Sequence, residues 1–121
     1  MASFFETYKE TKSVSFDESW SSPATVARYT CPSGRYAYVF ITAAAFYGSA
    51  GTNVVLAFYN SARTDERVHF KGVSDMSFSN QSLGMIILRP GETVYTYRDG
   101  GIPGMAVSGT MRIFEFAIST L

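Results

Sequence analysis

The segment from Tyr36 to Phe46 is apolar at nearly every position, and this feature constrains the fold of the 121-residue chain more than any other. Successive side chains of a β-strand point to opposite faces, so a strand with one solvated face alternates apolar and polar residues. In this segment one alternating set is aromatic: Tyr36, Tyr38, Phe40 and Phe46. The other set is aliphatic: Ala37, Val39, Ile41, Ala43 and Ala45. A two-sheet sandwich of this size has a single interior, so the second apolar face needs another cover.

Strand-forming residues recur along the whole chain. Val, Ile, Thr, Tyr and Phe occur in short runs that are separated by Gly, Pro, Asn, Asp and Ser. We predict eight strands, at residues 4–16, 25–30, 36–46, 53–59, 67–70, 84–88, 93–98 and 105–118. The alanines at 43–45 favour a helix by themselves, but their flanks predict a strand, and residues 60–66 are predicted to form a loop. This spacing predicts an all-β chain that folds as an antiparallel β-sandwich or jelly roll with an N-terminal arm.

The first 23 residues differ from the rest of the chain. They combine six charged residues with apolar anchors that include Phe4, Phe5, Tyr8 and Trp20, and they end in a Ser- and Pro-containing stretch. We predict an arm and linker at residues 1–23 and a sandwich domain at residues 24–121. An arm of this kind packs on its own core or reaches a neighbouring subunit. The alternative is an ordinary first strand at the edge of a sheet.

Composition excludes several classes of protein. Hydrophobic residues make up 46% of the chain and charged residues 17%, which is typical of a globular domain and not of a disordered one. The single cysteine, Cys31, forms no intrachain disulfide, and neither a signal peptide nor a membrane helix is evident. A formal net charge of zero argues against nucleic acid as a partner. We therefore predict synthesis in a reducing cytoplasm, with neither nucleic acid nor membrane as a partner.

Residues for catalysis or metal binding are sparse. His69 is the only histidine, so no second histidine or cysteine completes a metal site. Cys31 has no evident partner base, and the acids Asp65, Asp75 and Asp99 fall in predicted loops, where solvated carboxylates are normal. We predict that the chain is not an enzyme and uses no cofactor and no metal.

Two surfaces are candidates for binding. A subunit interface is the simplest cover for the doubly apolar strands, although loops and the N-terminal arm are an alternative cover. The candidate interface residues are Phe4, Phe5, Tyr8, Trp20, Tyr36, Tyr38, Phe40 and Tyr59. Aromatic side chains also stack on sugars, so a receptor or glycan site is the second candidate. Its residues are Tyr47, Tyr95, Tyr97 and Asp99, with the Gly-rich loop that follows them.

Three segments resemble small β-sandwich virion proteins of tailed bacteriophages. They are CPSGRYAYV at residues 31–39, ILRPGETV at residues 87–94 and VSGTMRIFE at residues 107–115. In the first two a turn containing Pro and Gly adjoins a strand, and in the third a closing strand contains Phe-Glu. The resemblance covers roughly residues 30–118. It implies a non-enzymatic protein that assembles through apolar and aromatic surface, commonly as a trimer, and it supplies no catalytic residues.

Two roles are implied within such virion proteins. One is a homotrimeric capsid cement or decoration protein that stabilises the phage head by binding the major capsid protein at the capsid surface. The other is a fibre or tail-tip domain that binds a host receptor or glycan. A fibre usually has a shaft or attachment segment before its tip, whereas this sequence starts at Met1 with a short arm. The cement role is therefore the expected one.

Overall fold

Eight strands account for all the regular elements in the part of the chain that the computed structural model describes. The described residues are 8–19, 23–48, 51–73, 76–100 and 105–117. The strands are β1 (Tyr8–Ser19), β2 (Ala24–Thr30), β3 (Arg35–Tyr47), β4 (Asn53–Asn60), β5 (Arg63–Val73), β6 (Met76–Leu88), β7 (Thr93–Asp99) and β8 (Ala106–Ala117). The alanines at 43–45 lie within β3, as predicted.

The strands form two antiparallel four-stranded sheets. The first sheet has the order β1-β8-β3-β6, and the second has the order β2-β7-β4-β5. The chain crosses between the sheets at every connection except the β4–β5 hairpin, and this order is that of an eight-stranded jelly roll. The prediction of an antiparallel β-sandwich is confirmed.

Strand β1 is an edge strand of the first sheet. It pairs with β8 from Tyr8 opposite Phe116 to Ser19 opposite Ala106, with one irregularity near Tyr8. Residues 8–19 therefore form a first strand at the edge of a sheet, which is the alternative to an arm that the sequence analysis left open. Phe4, Phe5 and Trp20 lie outside the described residues, and so do residues 101–104 of the Gly-rich loop.

The core lies between the inward faces of the two sheets. Ala37, Val39 and Ile41 of β3 have no accessible surface, and Leu56 and Phe58 of β4 are equally buried. Aromatic rings continue across the interior as a chain of contacts, from Phe16–Phe58 through Phe58–Phe70 and Phe70–Phe78 to Phe46–Phe78, with ring centroids 5.2–6.1 Å apart. Ala37, Val39 and Ile41 thus face the core, and Tyr36, Tyr38 and Phe40 face outward.

Phe46 departs from this alternation. The register of β3 shifts between Ile41 and Ala43 against both neighbouring strands. A bulge inserts one extra residue and so exchanges the faces for every residue that follows. Phe46 therefore points into the core and is fully buried, and its predicted place on the face of Tyr36 is wrong. The predicted place of Ala43 and Ala45 on the face of Ala37 is wrong for the same reason, since both line the outer face beyond the bulge.

The turns explain the strand boundaries. At residues 89–92 the amide of Glu92 donates to the carbonyl of Arg89 at 3.0 Å, and Gly91 has a φ of 80°, in the left-handed region that favours glycine. The predicted loop at residues 60–66 is wrong, because β4 and β5 are joined by residues 61 and 62 alone. The buried Asn60 side chain accepts a hydrogen bond from the Ala62 amide at 2.8 Å, so it holds the turn that a short connection requires.

Candidate functional site

The outer face of the first sheet carries a continuous group of apolar side chains at one end. This group, called the apolar patch below, consists of Tyr36, Tyr38, Phe40, Met85, Ile87, Phe114 and Phe116. Register places them side by side, since Tyr38 lies opposite both Ile87 and Phe114, and Phe40 lies opposite Met85. Tyr36 remains 40% exposed and Met85 46% exposed.

The rings of the apolar patch hold one another in place. Tyr38 contacts Phe116 with ring centroids 4.9 Å apart, and Phe40 meets Phe114 edge-on at 5.4 Å. The guanidinium of Arg112 lies 5.4 Å from the centroid of the Phe114 ring. Tilted and edge-on contacts are the arrangements that aromatic rings prefer. The patch is therefore a preformed surface, which loses little side-chain entropy when a partner binds.

The opposite end of the same face has small residues. Beyond the bulge, Ala43, Ala45, Ser77, Ser108 and Thr110 line a shallow hollow of about 200 Å³. Tyr47 lines this hollow and is 46% exposed. One end of the face thus presents a group of large rings, and the other presents mainly small side chains beside the single ring of Tyr47.

The outer face of the second sheet presents tyrosines beside basic residues. Tyr59 stacks on Tyr95 with centroids 5.8 Å apart and an interplanar angle of 19°, and the Arg67 guanidinium lies 5.2 Å from the Tyr59 ring. Along the edge strand β5, Arg67, His69 and Lys71 are all exposed. We call this surface the tyrosine face.

The candidate residues that the sequence predicted lie on different surfaces of the structure. Tyr36, Tyr38 and Phe40 come together in the apolar patch, whereas Tyr59 lies on the tyrosine face with Tyr95 and Tyr97. Tyr47 is on the first sheet and so is separated from Tyr95, Tyr97 and Asp99 on the second. The backbone of Tyr8 pairs with Phe116 at the end of the apolar patch.

A groove of about 460 Å³ opens at one end of the tyrosine face. Its lining includes Asn53, Val55, Lys71, Asp99 and Gly100. Register fixes the order across it, because Val55 of β4 lies opposite Lys71 on one side and opposite Asp99 on the other. The Asp99 carboxylate accepts hydrogen bonds from the Tyr97 hydroxyl at 2.9 Å and from the Gly100 amide at 2.7 Å. The hydrogen bond to Asp99 raises the pKa of Tyr97.

A buried carboxylate ties the two sheets together. Glu115 of β8 has no accessible surface, and it pairs with Arg35 at 2.6 Å and with Lys12 at 3.2 Å. It also accepts a hydrogen bond from the hydroxyl of Tyr29, which belongs to the second sheet. Burial acts to raise the pKa of Glu115, but the hydrogen bonds from Tyr29, Arg35 and Lys12 outweigh it and hold that pKa below its ordinary value. The carboxylate is therefore charged at neutral pH.

A second acid joins β1 to the other sheet. Glu18 accepts two hydrogen bonds from Arg28, at 2.6 and 2.7 Å, and a third from Arg98 at 2.9 Å. The Arg28 guanidinium also lies 3.8 Å from the centroid of the Phe16 ring. Hydrogen bonding from Arg28 is the main reason that the pKa of Glu18 is lowered. This bidentate pairing fixes β1 against β2.

A bulge in β2 allows two adjacent residues of this strand to bind the two acids, Glu18 and Glu115. Adjacent strand residues normally point to opposite faces, yet both Arg28 and Tyr29 reach inward. The register of β2 shifts between Ala27 and Tyr29, which accounts for this. Sequence reasoning did not identify either acid as a structural centre. A signal for Glu115 is present, because it follows Met111 and Ile113 on the core-facing set of β8.

Cys31, one of the residues considered for catalysis, lies in the interior. The Cys31 thiol is buried and donates to the carbonyl of Arg35 at 3.1 Å. Burial raises its pKa to about 11, so the thiol is protonated at neutral pH and is a poor nucleophile. Within the described ranges, His, Cys, Asp and Glu form no group of three that could hold a metal ion. The same ranges contain no helix that is long and apolar enough to cross a membrane.

Comparison with known proteins identifies a shared fold. The sequence matches no protein family and no curated protein. A chain of the acid-stable capsid structure of Helicobacter pylori bacteriophage KHP30 superposes with a TM-score of 0.59 at 10% identity, over 94% of this chain and 93% of that one. A chain of the disulfide-linked pili of Bacillus endospore appendages gives 0.44 at 17% identity, over 91% and 88%. A chain of infectious bursal disease virus strain Gt gives 0.28 at 9% identity, over 92% of this chain and 37% of that one. The first of these likenesses shows a shared fold.

Proposed function

We propose that this chain is a non-enzymatic structural protein of a virus particle. The apolar patch is the observation that carries the proposal, because a preformed group of large apolar side chains on the outside of a complete sandwich fits a surface that is covered on assembly. The fold shared with a chain of a phage capsid structure supports it, since the two chains match over nearly their full lengths.

The specific role we propose is that of a cement or decoration protein. In this role copies of the chain associate as a homotrimer, bind the major capsid protein on the capsid surface and stabilise the phage head after synthesis in the host cytoplasm. A separate small subunit suits this role, because many weak contacts on one shell add up through multivalency. The small, preformed and mostly uncharged outer face of the first sheet is the surface we assign to contacts between copies.

The size of that face fits the proposal. Four strands about 4.8 Å apart, with about 12 residues rising about 3.3 Å each, give an outer face of about 750 Å². A standard specific interface takes roughly 800 Å² from each partner. If about half of the area is apolar, covering this face on all three copies of a trimer contributes roughly 28 kcal/mol, against association costs of about 4–15 kcal/mol for each of the two association steps. Covering this face therefore stabilises an assembly.

The test measures mass and shell binding on matched variants. Tyr36 and Tyr47 lie at opposite ends of β3 and are 40% and 46% exposed, so Tyr36→Asp and Tyr47→Asp make the same change on equally accessible sites. Sedimentation of the purified chain should show a species of about 40 kDa, three times the 13.3 kDa of one chain. Tyr36→Asp combined with Met85→Asp should give a monomer, because both charges fall within the apolar patch, while Tyr47→Asp at the other end of the same face should weaken assembly less.

Capsid binding is checked by co-sedimentation with shells of the major capsid protein from the same virus. The wild-type chain should pellet with the shells and raise the temperature at which they break. A wild-type chain that is a monodisperse monomer and does not bind shells would refute the proposal. Equal loss of assembly in the Tyr36 and Tyr47 variants would show that the apolar patch is not the contact.

A further inference from the structure

The residues that line the groove at the end of the tyrosine face take no part in the proposed contacts between copies. It lies on the outer side of the second sheet, opposite the apolar patch, and so it is independent of the proposed assembly role. Its volume of about 460 Å³ falls within the range of small-molecule sites. The lining combines an apolar floor with acceptor and donor groups on opposite sides.

Asp99 supplies the hydrogen-bond acceptors of the groove, and hydrogen bonds within the chain hold its carboxylate in position. One oxygen of Asp99 accepts the hydrogen bond from the Gly100 amide, and the other accepts that from the Tyr97 hydroxyl. Each carboxylate oxygen has a second lone pair, and the exposed side chain leaves these open to a ligand. Such a carboxylate takes hydrogen bonds from ligand hydroxyl groups without a large cost of ordering.

Lys71 supplies a hydrogen-bond donor on the other side of Val55 from Asp99. Lys71 and Asp99 flank β4 from the two neighbouring strands, so their backbones are about 10 Å apart. Between them the Val55 side chain forms a small apolar floor, and Asn53 adds an amide that both donates and accepts. This width accommodates one six-membered ring with its substituents.

The basic residues near the groove favour an acidic sugar over a neutral one. Arg67 and Lys71 lie on β5 beside the groove, together with His69, and Asp99 is the acid that lines it. A neutral sugar would satisfy Asp99 and Asn53 but would offer no charged group to Lys71. A carboxylate on the ring would give Lys71 a charge-assisted hydrogen bond.

We propose that this groove binds an anionic saccharide, with ring hydroxyls bound by Asp99 and Asn53, the apolar ring face on Val55 and the acid group paired with Lys71. The receptor-binding alternative drawn from the sequence included Tyr97 and Asp99, but neither Lys71 nor the groove. The site gives those two residues a defined ligand class. A monosaccharide of about 13 heavy atoms bound at ordinary ligand efficiency has a Kd of about 1 mM.

The test compares sugars that differ in one group. Methyl β-D-glucuronide and methyl β-D-glucoside share a ring and differ in a carboxylate against a hydroxymethyl group, and methyl N-acetylneuraminide supplies a second acid. Each is titrated into the full ¹⁵N-labelled chain. An acid should shift the amide signals of Asn53, Gly72 and Gly100, and it should bind at least about tenfold more tightly than the glucoside.

Variants locate the binding. Lys71→Gln and Asp99→Asn change exposed side chains, and each should weaken acid binding about tenfold while the other amide signals stay in place. Arg112→Gln removes an exposed cation from the opposite outer face and should leave binding unchanged. The proposal is overturned if neither acid binds, if the glucoside binds as well as the glucuronide, or if Lys71→Gln binds the acids like the wild type.

Discussion

Glu115→Gln removes one charge from the centre of the buried cluster that joins the sheets. Glu115 has no accessible surface, and its carboxylate holds Arg35 at 2.6 Å and Lys12 at 3.2 Å. Removing one partner of a buried ion pair costs about 3–5 kcal/mol when the other charge stays buried. Arg35 and Lys12 are 31% and 43% exposed and can regain water, which reduces the expected loss of unfolding free energy to about 2 kcal/mol.

The pH dependence of stability provides an independent check. The pKa of Glu115 is lowered in the folded chain, so its contribution is fully present above its unfolded pKa and is lost as pH falls through the folded value. The difference between wild type and Glu115→Gln should therefore be about 2 kcal/mol at neutral pH and should shrink below about pH 4. The pKa of Glu18 and of Glu92 is lowered too, but these groups are the same in both proteins.

Urea unfolding at fixed protein concentration measures the difference, because association would otherwise shift the apparent stability. A fall of about 2 kcal/mol corresponds to a melting temperature lower by roughly 6–10 °C in a domain of this size. Asp17→Asn is the control, since it removes a charge from an exposed position of β1 and should change stability by less than about 0.5 kcal/mol. Equal stability of Glu115→Gln and wild type at pH 7, or a difference that persists at pH 3, would refute this account.

Three further predictions concern single contacts. Arg28→Lys should cost about 1–2 kcal/mol in urea unfolding, because lysine cannot reproduce the paired hydrogen bonds to Glu18; a Lys71→Arg control should be neutral. Gly100→Ala should lower stability by about 1–3 kcal/mol, because Gly100 has a φ of 84° and an added Cβ would lie 2.5 Å from the Asn53 carbonyl oxygen; stability equal to wild type would contradict this. Cys31 should resist iodoacetamide at pH 8 in the native chain and react in urea, as mass spectrometry would show, because burial raises its pKa to about 11; rapid native labelling would exclude the buried, protonated thiol.

Strand positions could be predicted from local chemistry. Runs of β-branched and aromatic residues located all eight strands, and Pro and Gly marked the turns at residues 31–34 and 89–92. The predicted bounds of β5 and β6, at residues 67–70 and 84–88, were too short, because both strands begin in polar stretches that resemble loops. The connection after Asn60 could not be predicted so well, since polar residues at 60–66 are typical of a loop. What shortens it is the Asn60 side chain, which bonds to the turn itself, to the carbonyl of Ile87 in β6 and to the Glu92 carboxylate in the turn between β6 and β7.

The direction of side chains could be predicted only where inward and outward residues alternate regularly along a strand. Tyr36, Tyr38 and Phe40 point outward as the pattern requires, but the bulge after Ile41 turns Phe46 into the core. Bulges depend on pairing with neighbouring strands, and one sequence does not show that pairing. For the same reason, the meeting of Glu115 with Lys12, Tyr29 and Arg35 could not be predicted, as it joins residues from four strands.

The pairing of Tyr8 with Phe116 brings both ends of the described sandwich to one place. Peptide cargo fused before β1 or after β8 would therefore emerge beside the apolar patch and obstruct it. The opposite end, where β3 leads into β4 and β7 into β8, is the better site for inserting a foreign epitope. An engineered display particle would be built from that end.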